Sequence, residues 1–353
     1  MSKKTLLPDL FLRTWNRRNH ARKLEMTKQG CIVESSYVTI GGIEQWITIR
    51  GEDRSNPVLL FLHGGPGSPY TVFTPLLREW EQDFTVVQWD QRGAGHTFRK
   101  NGVDGSGRIT FDRLVQDGME VTEYVLKRLG QRKLILIGSS AGSLTGAMMA
   151  RQRPDLFYAY IGTDQNTPDP MHLGYESALK ALQTAGLPKG VELVKKMGPA
   201  ARKWTRKDFD RRNRILVNAS PQVPHMIMDL MLPSMLSSPH HTLRDLSVIM
   251  KGMHFTLDYL FDEFMNFDYA GRIGTQFEVP FFLFQGDSDV ITPTVTAKDF
   301  FDRVEAPHKE FVLIREAGHL ACFARPGQFY EELMRRVRPW ALEETFDTID
   351  ASR

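Results

Sequence analysis

The chain is poor in cysteine: only Cys31 and Cys322 occur, far apart, and neither belongs to a C-x-x-C pair. A disulfide framework and a cysteine-based zinc or redox centre are thereby excluded, and a reducing, cytoplasmic setting is expected. Long apolar runs are missing too. No window approaches the roughly 18 uninterrupted residues of a bilayer-spanning helix. Near the start, Arg13, Arg17, Arg18, Arg22 and Lys23 stand where a secretory signal would place its apolar stretch. Neither sign of charge prevails: Lys plus Arg is 45 against 42 for Asp plus Glu, and a net +3 over 353 residues is too weak a field to gather nucleic acid or anionic lipid. The motifs H-E-x-x-H, D-x-D-x-D-G and G-x-x-x-x-G-K-[ST] are absent, and no G-x-G-x-x-G follows the first strand of the sheet, so no metal and no cofactor are expected.

What is present is a rhythm. Tyr37 to Ile40 and Trp46 to Ile49 flank Gly41-Gly42 and predict a hairpin. Six short apolar runs follow, at 58–62, 84–89, 134–137, 158–161, 280–284 and 311–314, each too short for a buried helix. Between them, residues 111–129, 144–153 and 328–337 carry apolar positions at helical spacing. Strands alternating with helices predict an α/β class with a mostly parallel, eight-stranded sheet covered on both faces.

One interval breaks the rhythm. Residues 165–272 are far too many for a strand-to-strand connection and hold nine of the fifteen methionines, from Met171 to Met265, among phenylalanines and prolines. They predict an inserted helical cap. The expected organisation is an N-terminal helical extension at 1–29, a core from 30–164 and 273–353, and the cap at 165–272. The basic run from Lys195 to Arg214, which includes Arg206, Arg211 and Arg212, reads as a solvated face. The extension, with Leu6, Leu7, Leu10, Phe11, Trp15 and Leu24 among basic residues, reads first as a solvated basic helix, with docking on the main domain or on a second copy of the chain as the alternative.

Three signals lie where predicted strands end, the place at which ligands gather in parallel α/β sheets. Gly138-Ser139-Ser140-Ala141-Gly142 sits between a strand and a helix, the context of a G-x-S-x-G nucleophile elbow, and points to Ser140. Its flanking positions must be small because the turn is tight. Leu62-His63-Gly64-Gly65-Pro66-Gly67 follows an earlier strand, and Gly65 and Ala141 are the expected amide donors for a developing oxyanion. A serine hydroxyl is a poor nucleophile at neutral pH, so an imidazole must take its proton and a carboxylate must hold that imidazole. Of the histidines, His319 combines a position after the last strand with a preceding glycine. Asp287 and Asp289 compete for the acid, and Asp289 is preferred because it lies deeper in its loop, nearer the turn at Pro293.

Together these segments resemble the α/β-hydrolase superfamily, and within it the prolyl iminopeptidase-like branch, over about residues 30–340. The likeness rests on His63-Gly64-Gly65-Pro66-Gly67, Asp90-Gln91-Arg92-Gly93-Ala94-Gly95, Gly138 to Gly142, Gly286-Asp287-Ser288-Asp289 and Gly318-His319. It implies an α/β-hydrolase fold with a catalytic triad of Ser140, Asp289 and His319. In the family pattern the acid is the last residue of a G-x-x-D segment. Ala141 and Ser143 depart from the branch, where a tryptophan and a further glycine are frequent. The branch's peptidases hold the substrate's free amino terminus with cap carboxylates, for which Asp229, Asp258, Asp262 and Glu263 are the available residues. The implied activity is removal of an N-terminal proline from a short peptide, or hydrolysis of a small amide. An esterase or lactonase for apolar small molecules is the alternative, and a non-catalytic ligand receptor on the same fold is a third.

Overall fold

A computed structural model describes residues 12–342 of the chain. The expected hairpin forms from β1 (Ile32–Ile40) and β2 (Ile43–Gly51), joined by Gly41 and Gly42, both with positive φ. Only glycine enters that region without cost, which is why this dipeptide makes the turn. The remaining strands are β3 (Val58–Leu62), β4 (Thr85–Asp90), β5 (Leu134–Ser139), β6 (Phe157–Thr163), β7 (Phe281–Gly286) and β8 (Lys309–Ile314). They complete one sheet in the order β1-β2-β4-β3-β5-β6-β7-β8, antiparallel through the β2–β4 pair and parallel thereafter.

β3, β4, β5 and β7 are buried along their whole length, so their side chains feed cores on both faces of the sheet. One core takes Leu60, Leu62, Leu136 and Leu283 with the helix Phe111–Leu129; the other takes Phe61, Ile135, Phe282 and Phe284 with Trp80 and Phe329. The Phe111–Leu129 helix starts where the Thr110 hydroxyl accepts from the Arg113 amide and stops at Gly130, at φ +69°.

Between β6 and β7 the chain leaves the sheet and is helical, with Leu173–Thr184, Pro188–Met197, Arg206–Leu216, Leu232–Ser237 and the long Leu243–Met265. Thr205 with Asp208, and Thr242 with Asp245, form reciprocal capping boxes that set the start of two of these helices. The helix Arg13–Lys23 lies against this segment: Arg17 donates to the carbonyls of Ser238 and Pro239, both at 3.0 Å. Leu6, Leu7, Leu10 and Phe11 fall outside the described residues. Among the described residues, no helix is long and apolar enough to cross a membrane.

Candidate active site

The strand-to-helix turn after β5 is built by close approach. A Cβ on Gly142 would lie 2.5 Å from the carbonyl oxygens of both Leu62 and His63, and one on Gly138 would lie 2.7 Å from the Gly142 oxygen. Ser140 between them takes φ 52°, ψ −126°, a strained backbone that a non-glycine residue keeps only when its surroundings enforce it. They do: its amide donates to the Thr163 carbonyl at 3.1 Å, and its own carbonyl accepts from the Ser143 amide at 2.9 Å and the Ser143 hydroxyl at 2.6 Å. The result lifts Oγ clear of the sheet.

His319 meets that hydroxyl. Ser140 Oγ lies 3.1 Å from His319 Nε2, and His319 Nδ1 lies 2.9 Å from Asp289 Oδ2. Asp289 is itself immobilised. Its Oδ1 accepts from the backbone amides of Ile291 at 2.8 Å and Thr292 at 3.1 Å, and its Oδ2 from the Thr292 hydroxyl at 2.8 Å and the Gln285 side-chain Nε2 at 3.1 Å. The competing carboxylate of Asp287 faces elsewhere, accepting from the amides of Glu316 at 3.0 Å and Ala317 at 3.4 Å, where it ties the ends of β7 and β8 together.

A second carboxylate near the imidazole had no sequence signal. Asp164, fully buried just past β6 at φ 50°, accepts from the amides of Leu320 and Ala321 at 2.9 and 3.2 Å and from the Ser139 hydroxyl at 2.9 Å. Burial acts to lower the pKa of His319, but the charges of Asp289 and Asp164 outweigh it and hold the ring raised, at about 9. Burial in turn pushes the Asp164 carboxyl up, with the Asp289 charge adding to it. Only the strand-end position of Asp164, shared with the other site residues, could have drawn attention to it.

The Gly64-Gly65 turn packs directly on the elbow: a Cβ on Gly64 would lie 2.6 Å from the Ser140 Cβ and 3.2 Å from the Ala141 nitrogen. Neither the Gly65 amide nor the Ala141 amide, which opens the helix Ala141–Gln152, has a backbone acceptor among the described residues. The neighbouring His63 is a fastening. Its Nε2 accepts from the Gln91 amide at 3.1 Å while the Gln91 side chain donates to the His63 carbonyl at 2.9 Å, and burial lowers its pKa. Arg92, next along, pairs with buried Asp117 at 2.8 Å. Gln91 thus clamps the glycine turn, while Asp90 accepts from the Thr71 hydroxyl and the His96 amide and Arg92 ties down Asp117.

Ser140 and His319 open into a compartment of about 150 Å³ walled by Phe209, Met226, Met231 and Met253. A larger space of about 420 Å³ adjoins it, the two sharing Asn166, Phe209, Arg212 and Phe264. Asp229, Asp258, Asp262 and Glu263 line neither; the carboxylate that lines the larger space is Asp169, which sequence reasoning missed and which accepts from the amides of Leu173 and Gly174 at 2.7 and 2.9 Å. Asp258 and Asp262 are exposed, on the outer side of the Leu243–Met265 helix whose Met253 and Phe264 turn inward; Glu263 pairs with Arg272 at 2.5 Å, and Asp229 accepts from the His225 amide at 2.9 Å. Helical spacing separates them from the inward positions. The basic run also needs correcting at one place. Lys195, Arg211 and Arg214 are exposed, but Arg212 is buried, because it shares a helix face with Phe209 and Leu216.

Residues 57–184 match the family described as alpha/beta hydrolase fold. "Probable aminopeptidase YbaC" of Bacillus subtilis (strain 168) is 30% identical over 305 residues, 85% of this chain and 95% of its own. A "Proline iminopeptidase" of Lactobacillus delbrueckii subsp. lactis is 22% identical over 309 residues, 86% of this chain and 97% of its own. In fold, the chain is similar to a proline iminopeptidase-related protein of Thermus thermophilus, with a TM-score of 0.57 at 20% identity, over 86% of this chain and 96% of that one. The chain belongs to the α/β hydrolase family, with aminopeptidases and proline iminopeptidases among its relatives, and is a hydrolase.

Proposed function

We propose that this chain hydrolyses small amides and esters through an acyl-enzyme on Ser140. The observation that carries this is the continuous chain Ser140 Oγ, His319 Nε2, His319 Nδ1, Asp289 Oδ2, with contacts of 3.1 and 2.9 Å, opening into a cavity. His319 takes the hydroxyl proton as Oγ bonds to the substrate carbonyl carbon. The amides of Gly65 and Ala141 stabilise the oxygen as it becomes negative, a contribution of about 3 kcal/mol per donor. The tetrahedral intermediate collapses, the bond to the leaving nitrogen or oxygen breaks, and His319 returns the proton to it. Water, deprotonated by the same ring, then releases the acid and regenerates Ser140. No cofactor enters these steps.

The names of the relatives support an N-terminal amide, as in removal of proline from a short peptide, as the substrate. The helices between β6 and β7 act as the cap that selects it. A second reading, an esterase for apolar acyl groups, is favoured by the wall of the smaller compartment, which among the described residues carries methionines and phenylalanines and no carboxylate, whereas a substrate ammonium would have to reach Asp169 in the larger space to be paired. Two unpaired cysteines suit the cytoplasm as the site of action. A fluorophosphonate probe should label wild-type protein at Ser140, and proline anilide against nitrophenyl esters should separate the two substrate readings. Absence of labelling together with intact ligand binding would convert the reading to a receptor.

A further inference from the structure

The cavity wall holds a cation with no ion-pair partner among the described residues, although Asp169 lines the same larger space. One Nη of Arg212 donates to the Asn213 side-chain oxygen at 2.9 Å, and the guanidinium lies over the Trp204 ring at 5.3 Å. No carboxylate lies within ion-pair distance of it among the described residues, although other buried arginines have one: Arg50 pairs with Glu81 and Arg92 with Asp117. A guanidinium presents five N–H donors in a planar fork, so most of this fork is unused by the protein. Asn166, on the same wall, adds a second unpaired donor: its Nδ2 is buried and has no hydrogen-bond partner among the described residues.

Asn166 is held in place by Ser143. Its backbone amide donates at 2.9 Å to the Ser143 hydroxyl, which in turn donates at 2.6 Å to the Ser140 carbonyl. A glycine at 143 would have no hydroxyl to make this link. The elbow and the Asn166 donor are therefore one mechanical unit. Both Arg212 and Asn166 line the compartment that contains Ser140 and the larger space beside it.

Leaving a buried cation and a buried amide unpaired costs folding energy, and the cost is recovered when a ligand supplies the acceptor. We propose that Arg212 and Asn166 form a carboxylate-binding subsite, so that the preferred substrate of Ser140 carries a carboxylate beyond an apolar stretch. Burial pushes the Arg212 guanidinium down to about 10 against the opposing charges of Asp289 and Asp169, so it stays a cation at neutral pH. The carboxylate could sit on the acyl side, as in a half-ester of a dicarboxylic acid, or on the leaving side, as the C-terminus of a dipeptide. The inference rests on the hydrolase reading above.

Two matched pairs test it: mono-p-nitrophenyl succinate against p-nitrophenyl butyrate for the acyl side, and prolyl-glycine against prolyl-glycinamide for the leaving side. Wild type should favour the acid in one pair by kcat/KM, which identifies the side. Arg212→Gln should cut that acid-to-neutral ratio about tenfold to a hundredfold. Arg212→Lys should keep part of it, and thermal melting confirms that both variants fold. No acid preference in either pair, or an equal loss on both members in Arg212→Gln, overturns the proposal. Dissociation constants of the same four probes with Ser140→Ala protein read the subsite without turnover. An acid preference there, with no turnover by wild type, would sink the hydrolase reading and leave the subsite standing; equal constants would sink the subsite whatever the enzyme hydrolyses.

Discussion

Asp289 and Arg212 are both charged, both buried and both beside the same cavity, yet the fold treats them in opposite ways. Asp289 receives donors from Gln285, Ile291, Thr292 and His319. Among the described residues, the Arg212 side chain gives one hydrogen bond, to its neighbour Asn213. A group that must hold an imidazole in one orientation works best when every lone pair is committed, since any freedom would let the ring turn. A group that must meet an arriving ligand has to keep its donors open and tolerate the desolvation meanwhile. On the proposed reading, the catalytic corner is over-determined by the protein, whereas the recognition wall would be completed by the substrate.

The largest effect should come from the corner itself. Ser140→Ala removes the atom to which the acyl group bonds and should reduce kcat by about 10⁴ or more while leaving the melting temperature near wild type. Turnover within tenfold of wild type would dissolve the distinction between the two regions. Next, Asp289→Asn should lower kcat by about 10² to 10⁴, because an amide cannot stabilise the imidazolium and presents the wrong tautomer to it. Asp287→Asn, two residues away, leaves the His319 contact untouched and should change kcat less than about tenfold, within the range of a lost surface hydrogen bond. The reverse ranking would show that the ring turns toward Asp287 during the reaction.

Gly142→Ala tests whether the corner depends on packing as well as on chemistry. The added methyl would lie 2.5 Å from two backbone oxygens, neither able to swing away as a side-chain tip could. A loss of about 2–4 kcal/mol of stability is expected, read from denaturant unfolding, with activity falling because β3 and the elbow separate. Unchanged stability would mean that the turn is softer than its contacts indicate.

The difference between the two regions also explains what could be read from the sequence. The sheet was legible because each buried strand is a short apolar run, and the elbow was legible because Gly138 and Gly142 report a local steric demand. Asp289 was separable from Asp287 only weakly, since both follow β7 and the discriminating contact comes from His319, thirty positions on. Asp164 and the His63–Gln91 fastening carried no local pattern; their partners are brought together by the order of the strands. Arg212 reads as part of a solvated run because charge suggests exposure, although Phe209, Arg212, Asn213 and Leu216 recur at the spacing of one inward helix face. The cap carboxylates failed in the mirror sense: acidic residues are frequent on any solvated helix, and sequence alone does not say which side faces a cavity.

Asp164 gives the smallest and most diagnostic change, because it touches the corner electrostatically without joining the hydrogen-bonded chain. His319 must be neutral to accept the Ser140 proton, and its pKa is held up at about 9, so kcat/KM should fall as pH drops below that value. Asp164→Asn removes one of the two charges that raise the ring. The sign is then determined: with less negative charge nearby the imidazolium is less favoured, its pKa falls, and the low-pH limb of the profile moves to lower pH. The amide oxygen can still accept from Leu320 and Ala321, so the turn beyond His319 should persist. Measured as kcat/KM at about pH 6 relative to its own alkaline plateau, the variant should therefore exceed wild type, even if the plateau itself is lower. A limb that does not move would mean that the buried Asp164 carboxyl is already protonated in the resting enzyme, leaving Asp289 as the sole charge on the ring.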